Sequence, residues 1–219
     1  METNEKKSVR VLAVDPGARR IGYALVSARP GPSEVRILEL GTLRVGEGKQ
    51  GDERAKERLR ELINAADWVV VEEVRPRVRR RRRRGQSPQE LKKSLEETQR
   101  WYQRALELAR HGGEREVLIM PGFTADLTDG RFIITWKEAF TGRRVVPDEE
   151  IIRRVEAFYQ IRLLPEEPAF AALDPEEREH LVRRVIDQAE ALAMAAVALR
   201  DEVFAPRPPS LEEEFFFEE

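Results

Sequence analysis

Val9-Arg10-Val11-Leu12-Ala13-Val14-Asp15-Pro16-Gly17-Ala18-Arg19-Arg20-Ile21-Gly22-Tyr23-Ala24-Leu25-Val26 consists of two apolar runs separated by a short turn. The first run, residues 8 to 15, reads as a strand buried on both faces, and Ile21 to Val26 as a second. Pro16-Gly17-Ala18-Arg19-Arg20 is turn chemistry, and so short a connection pairs the two strands antiparallel. A third strand is expected over residues 34 to 45, where the alternation slips. Val35 and Ile37 share one face, Leu38 and Leu40 the other, and Leu43 and Val45 return to the first. Burial on both faces or a bulge accounts for such a slip.

Asp52 then opens an amphipathic helix carrying Leu59, Leu62 and Ile63, and a strand over 68 to 73 follows, so the chain crosses over into parallel pairing. Ser87-Pro88-Gln89-Glu90 has the residues of a helix start, with a serine cap, proline at the first position and glutamate at the third, and predicts a helix to about Arg110. Trp101 and Tyr102 on that helix are expected in core or dimer packing. Glu116 to Met120 reads as a fifth strand, Thr128-Asp129-Gly130 as a turn, and Thr135-Trp136-Lys137-Glu138 as a capping box for a short helix ending at Gly142. Helices are expected from Asp148 to about Tyr159 and from Asp174-Pro175-Glu176-Glu177 to near Phe204, with a proline-rich loop, Leu164 to Leu173, between them. Three strands, helix, strand, helix, strand and then helices is the order of an α/β, ribonuclease-H-like fold. Such a fold has a mixed five-stranded sheet, three strands antiparallel and two parallel, flanked by helices. Residues 1 to 204 are read as one domain with an arginine-rich loop at 75 to 86, and residues 205 to 219 as an acidic, aromatic, disordered tail.

The chain has no cysteine and only two histidines, which excludes disulfides and leaves little for a zinc site, so any metal must be held mainly by oxygen. The N-terminus lacks the apolar stretch of a signal peptide. The longest apolar run, Ala191 to Leu199, is far short of the ~20 residues of a membrane span. A cytoplasmic protein of a prokaryotic or phage-infected cell, with no membrane partner, is expected. The net charge of −2 conceals a local extreme, because eight of the 39 basic residues fall between Arg75 and Arg84. Arg75, Arg77, Arg79, Arg80, Arg81, Arg82, Arg83 and Arg84 form a candidate phosphate-binding run that would not read sequence, the alternative being a solvated loop.

Four acids stand out by position. Asp15 and Glu72 end apolar strands, and Asp187 and Glu190 lie three apart on one helix face. Asp15 alone is ordinary turn chemistry, and Glu72 alone could be a solvated strand end. Glu190 differs, because Ile186, Ala193, Met194 and Val197 surround it and a carboxylate there must be protonated, paired with an arginine or bound to a metal. Hydrolysis of a phosphodiester needs an activated water and a stabilised leaving oxygen, which two divalent ions ~4 Å apart supply together. Magnesium, with manganese as substitute, suits an all-carboxylate set drawn from separate elements. The residues by themselves therefore read as a metal nuclease.

Several segments resemble RuvC-type Holliday-junction resolvases in family order over roughly residues 9 to 200. Val11 to Tyr23 is similar to that family's opening, and Val70-Val71-Glu72-Glu73-Val74 to its second acidic strand. Trp136-Lys137-Glu138-Ala139-Phe140-Thr141-Gly142 resembles its Val-Lys-x-x-x-Thr-Gly segment, and Asp187-Gln188-Ala189-Glu190-Ala191-Leu192-Ala193 its Asp-Ala-Ala-Asp-Ala-Leu-Ala. The resemblance implies that Asp15, Glu72, Asp187 and Glu190 are the catalytic, metal-binding acids. It also implies that Lys137 touches a phosphate and that the protein is a homodimer nicking two opposed strands of a four-way junction, while the chain's departures from the family leave room for other branched DNA. The chain departs from the pattern in having glutamate at 190 rather than aspartate and Arg75 where an aromatic stands three positions after the strand glutamate. The arginine run and the tail are additions. The tail could occupy the basic groove as an autoinhibitory contact or recruit a protein partner. Competing readings are a YqgF-like ribosomal-RNA-processing nuclease, a module that binds branched DNA without cutting it, and a sugar-kinase-like or actin-like ATPase, for which no second glycine-rich loop is present.

Overall fold

The computed structural model of the chain describes residues 8–29, 35–46, 48–74, 87–111, 113, 115–122, 135–143 and 145–203. Strand β1 (Val9–Pro16) pairs antiparallel with β2 (Arg20–Ala28), and β2 pairs antiparallel with β3 (Val35–Arg44). Helix α1 (Lys49–Asn64) carries the chain across to β4 (Trp68–Glu73), which lies parallel to β1. Helix α2 (Pro88–His111) repeats the crossover to β5 (Glu116–Pro121), parallel to β4. The sheet order is β3-β2-β1-β4-β5, three strands antiparallel and two parallel as the element order predicted. Among the described residues four helices follow: α3 (Trp136–Thr141), α4 (Asp148–Tyr159), α5 (Glu167–Ala172) and α6 (Pro175–Val203).

The two-residue alternation of β1 divides the interior into two cores. Leu12 and Val14 face α1 and α2, meeting Leu59, Ile63, Trp101 and Leu106. Val11 and Ala13 face the other way, into a core shared with Trp136, Ile152, Phe170 and Leu192. Trp101 is thus a core residue at 0% exposure, with Tyr102 beside it.

Helix α6 holds the second core together. Every residue from Ala191 to Leu199 is buried, because β1 and β2 lie on one side of the helix and α3 and α4 on the other. That position explains an apolar run too short for a membrane: a helix apolar around its whole circumference is a core helix. No described helix is long and apolar enough to cross a membrane. Helix α4 is fastened to α6 where the Tyr159 hydroxyl donates to the Leu192 carbonyl oxygen at 2.9 Å. The closest approach lies at Gly22 of β2, where a Cβ would fall 2.1 Å from the carbonyl oxygen of Asp187.

Three side-chain caps mark helix starts where the sequence indicated them. The Glu90 N–H donates to Ser87 Oγ at 3.2 Å, that of Glu138 to Thr135 Oγ1 at 3.1 Å and that of Glu177 to Asp174 Oδ1 at 2.8 Å. The slip in the third strand is a bulge: register shifts between Leu25, opposite Glu39, and Val26, opposite Ile37, so Leu38 is the extra residue and lies 51% exposed. Two expectations are corrected. Helix α1 begins at Lys49, not Asp52, whose Oδ1 instead accepts the Gly46 N–H at 2.8 Å within the first turn. The segment read as a loop contains α5, in which Phe170 is pinned in the core at 2% exposure. The turn at Thr128-Asp129-Gly130, the Arg75 to Arg84 run and the tail from 205 lie outside the described residues.

Replacing Gly22 by alanine should push α6 off the sheet at Asp187 and cost about 1–3 kcal/mol, as overpacking does. Urea unfolding would reveal the loss, and stability equal to the parent's would mean that the helix does not seat so closely.

Candidate functional site

Side-chain parity decides which carboxylates can meet. Asp15 follows Ala13 by two positions and Glu72 follows Val70 by two, so both side chains share the α6 face of the sheet. Glu73 follows Val71 and belongs to the opposite face, with the α1 and α2 core. Strands β1 and β4 are parallel neighbours whose last registered pair is Val14 with Val71, so Asp15 and Glu72 lie side by side one step beyond it. On β1's other flank the residue paired with Asp15 is Gly22, the glycine against which Asp187 rests. Glu190 follows on the same helix, almost one turn on. All four acids named from the sequence therefore gather at the carboxyl ends of β1 and β4 beneath α6.

Each acid has a defined neighbour. The Asp15 carboxyl lies buried next to Glu72, the neighbour whose charge acts on it most strongly. Trp136 Nε1 donates to Glu72 Oε1 at 3.0 Å, Lys137 Nζ donates to Glu190 Oε1 at 2.5 Å, and Arg20 Nε lies 2.9 Å from Asp187 Oδ2. Arg20 is itself held, since its second guanidinium nitrogen donates to the Arg183 carbonyl oxygen at 2.9 Å. The Lys137 ammonium sits 5.0 Å from the centre of the Trp136 ring, in cation–π range. Gly122 makes room for Glu72, since a Cβ there would fall 2.4 Å from Glu72 Oε1.

The electrostatics follow from this crowding. Burial, then the Glu72 charge, then Glu190 and, more weakly, Asp187 push the Asp15 carboxyl well above the usual range. Burial also drives Glu190 up to about 7, with Glu72 and Asp148 adding to the rise and Lys137 opposing it. For Lys137, desolvation works downward but Glu190, Glu72 and Asp148 outweigh it and raise its pKa. Among the described residues no three His, Cys, Asp or Glu side chains converge closely enough to make a ready metal cage. Two of the four acids are turned toward Arg20 and Lys137, which act as local counter-charges. The donor set itself fits a hard divalent cation: every donor is a carboxylate oxygen, and the mutual repulsion that raises Asp15 is what such a cation would relieve.

Sequence reasoning named the four acids and Lys137, though it assigned Lys137 to a phosphate rather than to Glu190. It missed Trp136, Arg20 and Gly122 as parts of the site. No periodicity marks them, because their roles arise from contacts 64, 167 and 50 residues apart along the chain.

The mixed sheet with helices on both faces is a ribonuclease-H-like fold. Thermus thermophilus RuvC shares it, with a TM-score of 0.52 at 18% identity over 87% of this chain and 95% of that one. T. thermophilus RuvC in complex with Holliday junction substrate gives 0.54 at 17% identity, over 89% of this chain and 97% of that one. At these identities the likeness is one of fold. No protein-family model and no curated protein sequence matches the chain.

The raised carboxyls have a consequence for metal-free protein. A carboxyl whose folded pKa lies above its ordinary 4.5 stabilises the fold fully below that value and loses the contribution as pH rises toward the folded value, about 7 for Glu190. The loss for that group is on the order of 3 kcal/mol, and Asp15 acts in the same direction. Urea unfolding in chelator should therefore give lower stability at pH 8 than at pH 5, with a smaller decline in Glu190→Gln. A decline of equal size in that variant would remove Glu190 as its source.

Proposed function

We propose that this chain is a divalent-metal-dependent, structure-selective DNA endonuclease acting on four-way or other branched junctions. The reading rests on the gathering of Asp15, Glu72, Asp187 and Glu190 at one edge of a ribonuclease-H-like sheet. It draws further support from a fold neighbour that was solved with a Holliday junction substrate.

Two magnesium or manganese ions held by these four carboxylates would activate a water for in-line attack on the phosphodiester and stabilise the leaving oxygen. The protein's own groups prepare that state. Asp15, whose carboxyl is held toward its neutral form, would give up its proton, while Trp136 keeps Glu72 Oε1 in place. Lys137 and Arg20 neutralise Glu190 and Asp187 until cations do so, and then have a free ammonium and guanidinium with which to meet phosphate oxygens. The side chain of Lys137 is 27% exposed, which supports such a contact. The arginines from Arg75 to Arg84 follow in sequence directly after β4, whose Glu72 is one of the acids, and would supply further contacts to phosphates. Paired nicks in opposed strands need two such sites, which a homodimer provides. The acidic tail is assigned to contact with the basic surface or with a partner protein.

One observation favours a rival in which the site binds branched DNA without cutting: two of the acids are already ion-paired. Synthetic four-way junctions, forks, linear duplexes and structured RNA, incubated with magnesium, manganese or chelator, separate the readings. Metal-dependent junction nicks that fall to background in Glu72→Gln are expected. Tight junction binding with no cutting in either metal would establish the rival, and selective cutting of RNA would move the substrate class to ribosomal-type RNA.

Neutralising the Arg75 to Arg84 run should weaken binding to junction and duplex alike. It should also flatten the dependence of log affinity on log salt by roughly 0.9 for each phosphate that the run no longer neutralises. An unaltered slope would leave the run no role in binding.

A further inference from the structure

We infer that Trp136 is the positioning residue of the acid centre, its indole setting the orientation of Glu72 and, through Lys137, of Glu190. The inference rests on the metal site proposed above.

Trp136 is the first residue of α3, and the Thr135 cap with its bond from the Glu138 N–H fixes where that helix begins. At 1% exposure the indole is enclosed, so bulk water does not meet its N–H, and leaving that donor unpartnered would be costly. An indole nitrogen can only donate, and the partner is Glu72 Oε1 at 3.0 Å. The same oxygen lies against Gly122, where any side chain would displace it. Glu72 sits at a strand end with three rotatable bonds. The indole holds one of its oxygens and leaves the other to a cation, and it spares the site much of the ordering cost at metal binding. The ring face does the second task. Lys137 Nζ stands 5.0 Å from its centre and 2.5 Å from Glu190 Oε1, so the aromatic surface sets where the ammonium rests and hence where Glu190 points. One side chain on α3 thereby governs an acid from β4 and an acid from α6. The comparison within the chain is Trp101, also fully buried, whose Nε1 has no hydrogen-bond partner among the described residues: burial of a tryptophan here does not by itself produce such a bond.

The alternative is that Trp136 simply fills space between α3, α6 and the sheet. Two variants of the full chain distinguish these. Trp136→Phe keeps an aromatic ring but loses volume as well as the donor. Replacing Trp136 by benzothienylalanine keeps the bicyclic shape and removes only the N–H. The readouts are manganese affinity by calorimetry, thermal stability in chelator, and junction cleavage against metal concentration. For the benzothienyl variant we expect a melting temperature in chelator close to the parent's, with manganese affinity reduced tenfold to a hundredfold, the usual effect of removing a hydrogen bond to a ligating side chain. Cleavage should be partly restored by added metal. Trp136→Phe should show at least as large a loss of affinity. Parent-like manganese affinity in the benzothienyl variant would overturn the positioning role and leave the nuclease reading standing. Manganese binding that weakens as expected in a protein that cuts nothing would uphold the positioning role and remove the nuclease reading. A parent chain that binds no manganese would overturn both.

Discussion

The seating of α6 on the sheet is the constraint on which the rest depends. An α-helix can lie within backbone contact of a strand only where the strand presents no side chain, and β2 presents none at Gly22. Because Gly22 pairs with Asp15 across the β1–β2 ladder, the point of closest approach is also the point where the sheet's first acid emerges. The alanines of the next two turns, Ala191, Ala193, Ala195 and Ala198, keep the helix close along the remaining contact and leave no exposed surface on it. Fold and site are therefore one packing problem. The apolar half of α6 fixes the depth of the helix, and depth fixes how near Asp187 and Glu190 come to Asp15 and Glu72.

Bringing four carboxylates so close has an electrostatic cost, and the chain offsets it in three ways at once. The Asp15 carboxyl is pushed toward its protonated form, Asp187 takes Arg20, and Glu190 takes Lys137. None of these is a strong stabilising device in itself, since buried pairs return little beyond their own desolvation. Their effect is to make the metal-free fold tolerable while keeping the acids in place. Each neutraliser is also replaceable by a cation of higher charge. A proton and two side-chain cations mark the positions of positive charge that the site calls for, and their spread over separate groups explains why no closed cage of acids stands ready among the described residues.

The sequence was informative wherever a single element carried its own signal. Val9 to Val26 announces two buried strands and their reversal, the bulge shows as a slip in alternation at Leu38, and the three side-chain caps fix helix starts to the residue. The four acids were legible because each interrupts an apolar pattern. What stayed hidden depends on where separate elements meet. Helix α5 is only six residues long and contains a proline, so its sequence looks like the loop around it, and only tertiary packing of Phe170 makes it helical. Asp52 has the chemistry of a cap yet serves the loop before its helix, because Gly46 competes for the same oxygen. Trp136 has no local feature to separate it from any other buried aromatic until Glu72 is placed beside its nitrogen.

The position of Glu190 shows how reach and helix direction combine. Asp187 is the acid whose backbone touches Gly22, so distance along the backbone would make it the stronger influence on Asp15. The order is the reverse: Glu190 raises the Asp15 carboxyl more than Asp187 does. Two effects account for this. Side chains on a helix lean toward its N-terminus, so a glutamate one turn beyond Gly22 reaches back over the strand pair, and its extra methylene carries the carboxylate further than an aspartate's. Asp187 meanwhile is drawn aside to Arg20, which screens its charge from the centre. A glutamate at this position, where the resembling family has aspartate, is thus matched to Lys137 and the Trp136 ring beneath it: the longer side chain needs a partner to hold its end, and α3 supplies one.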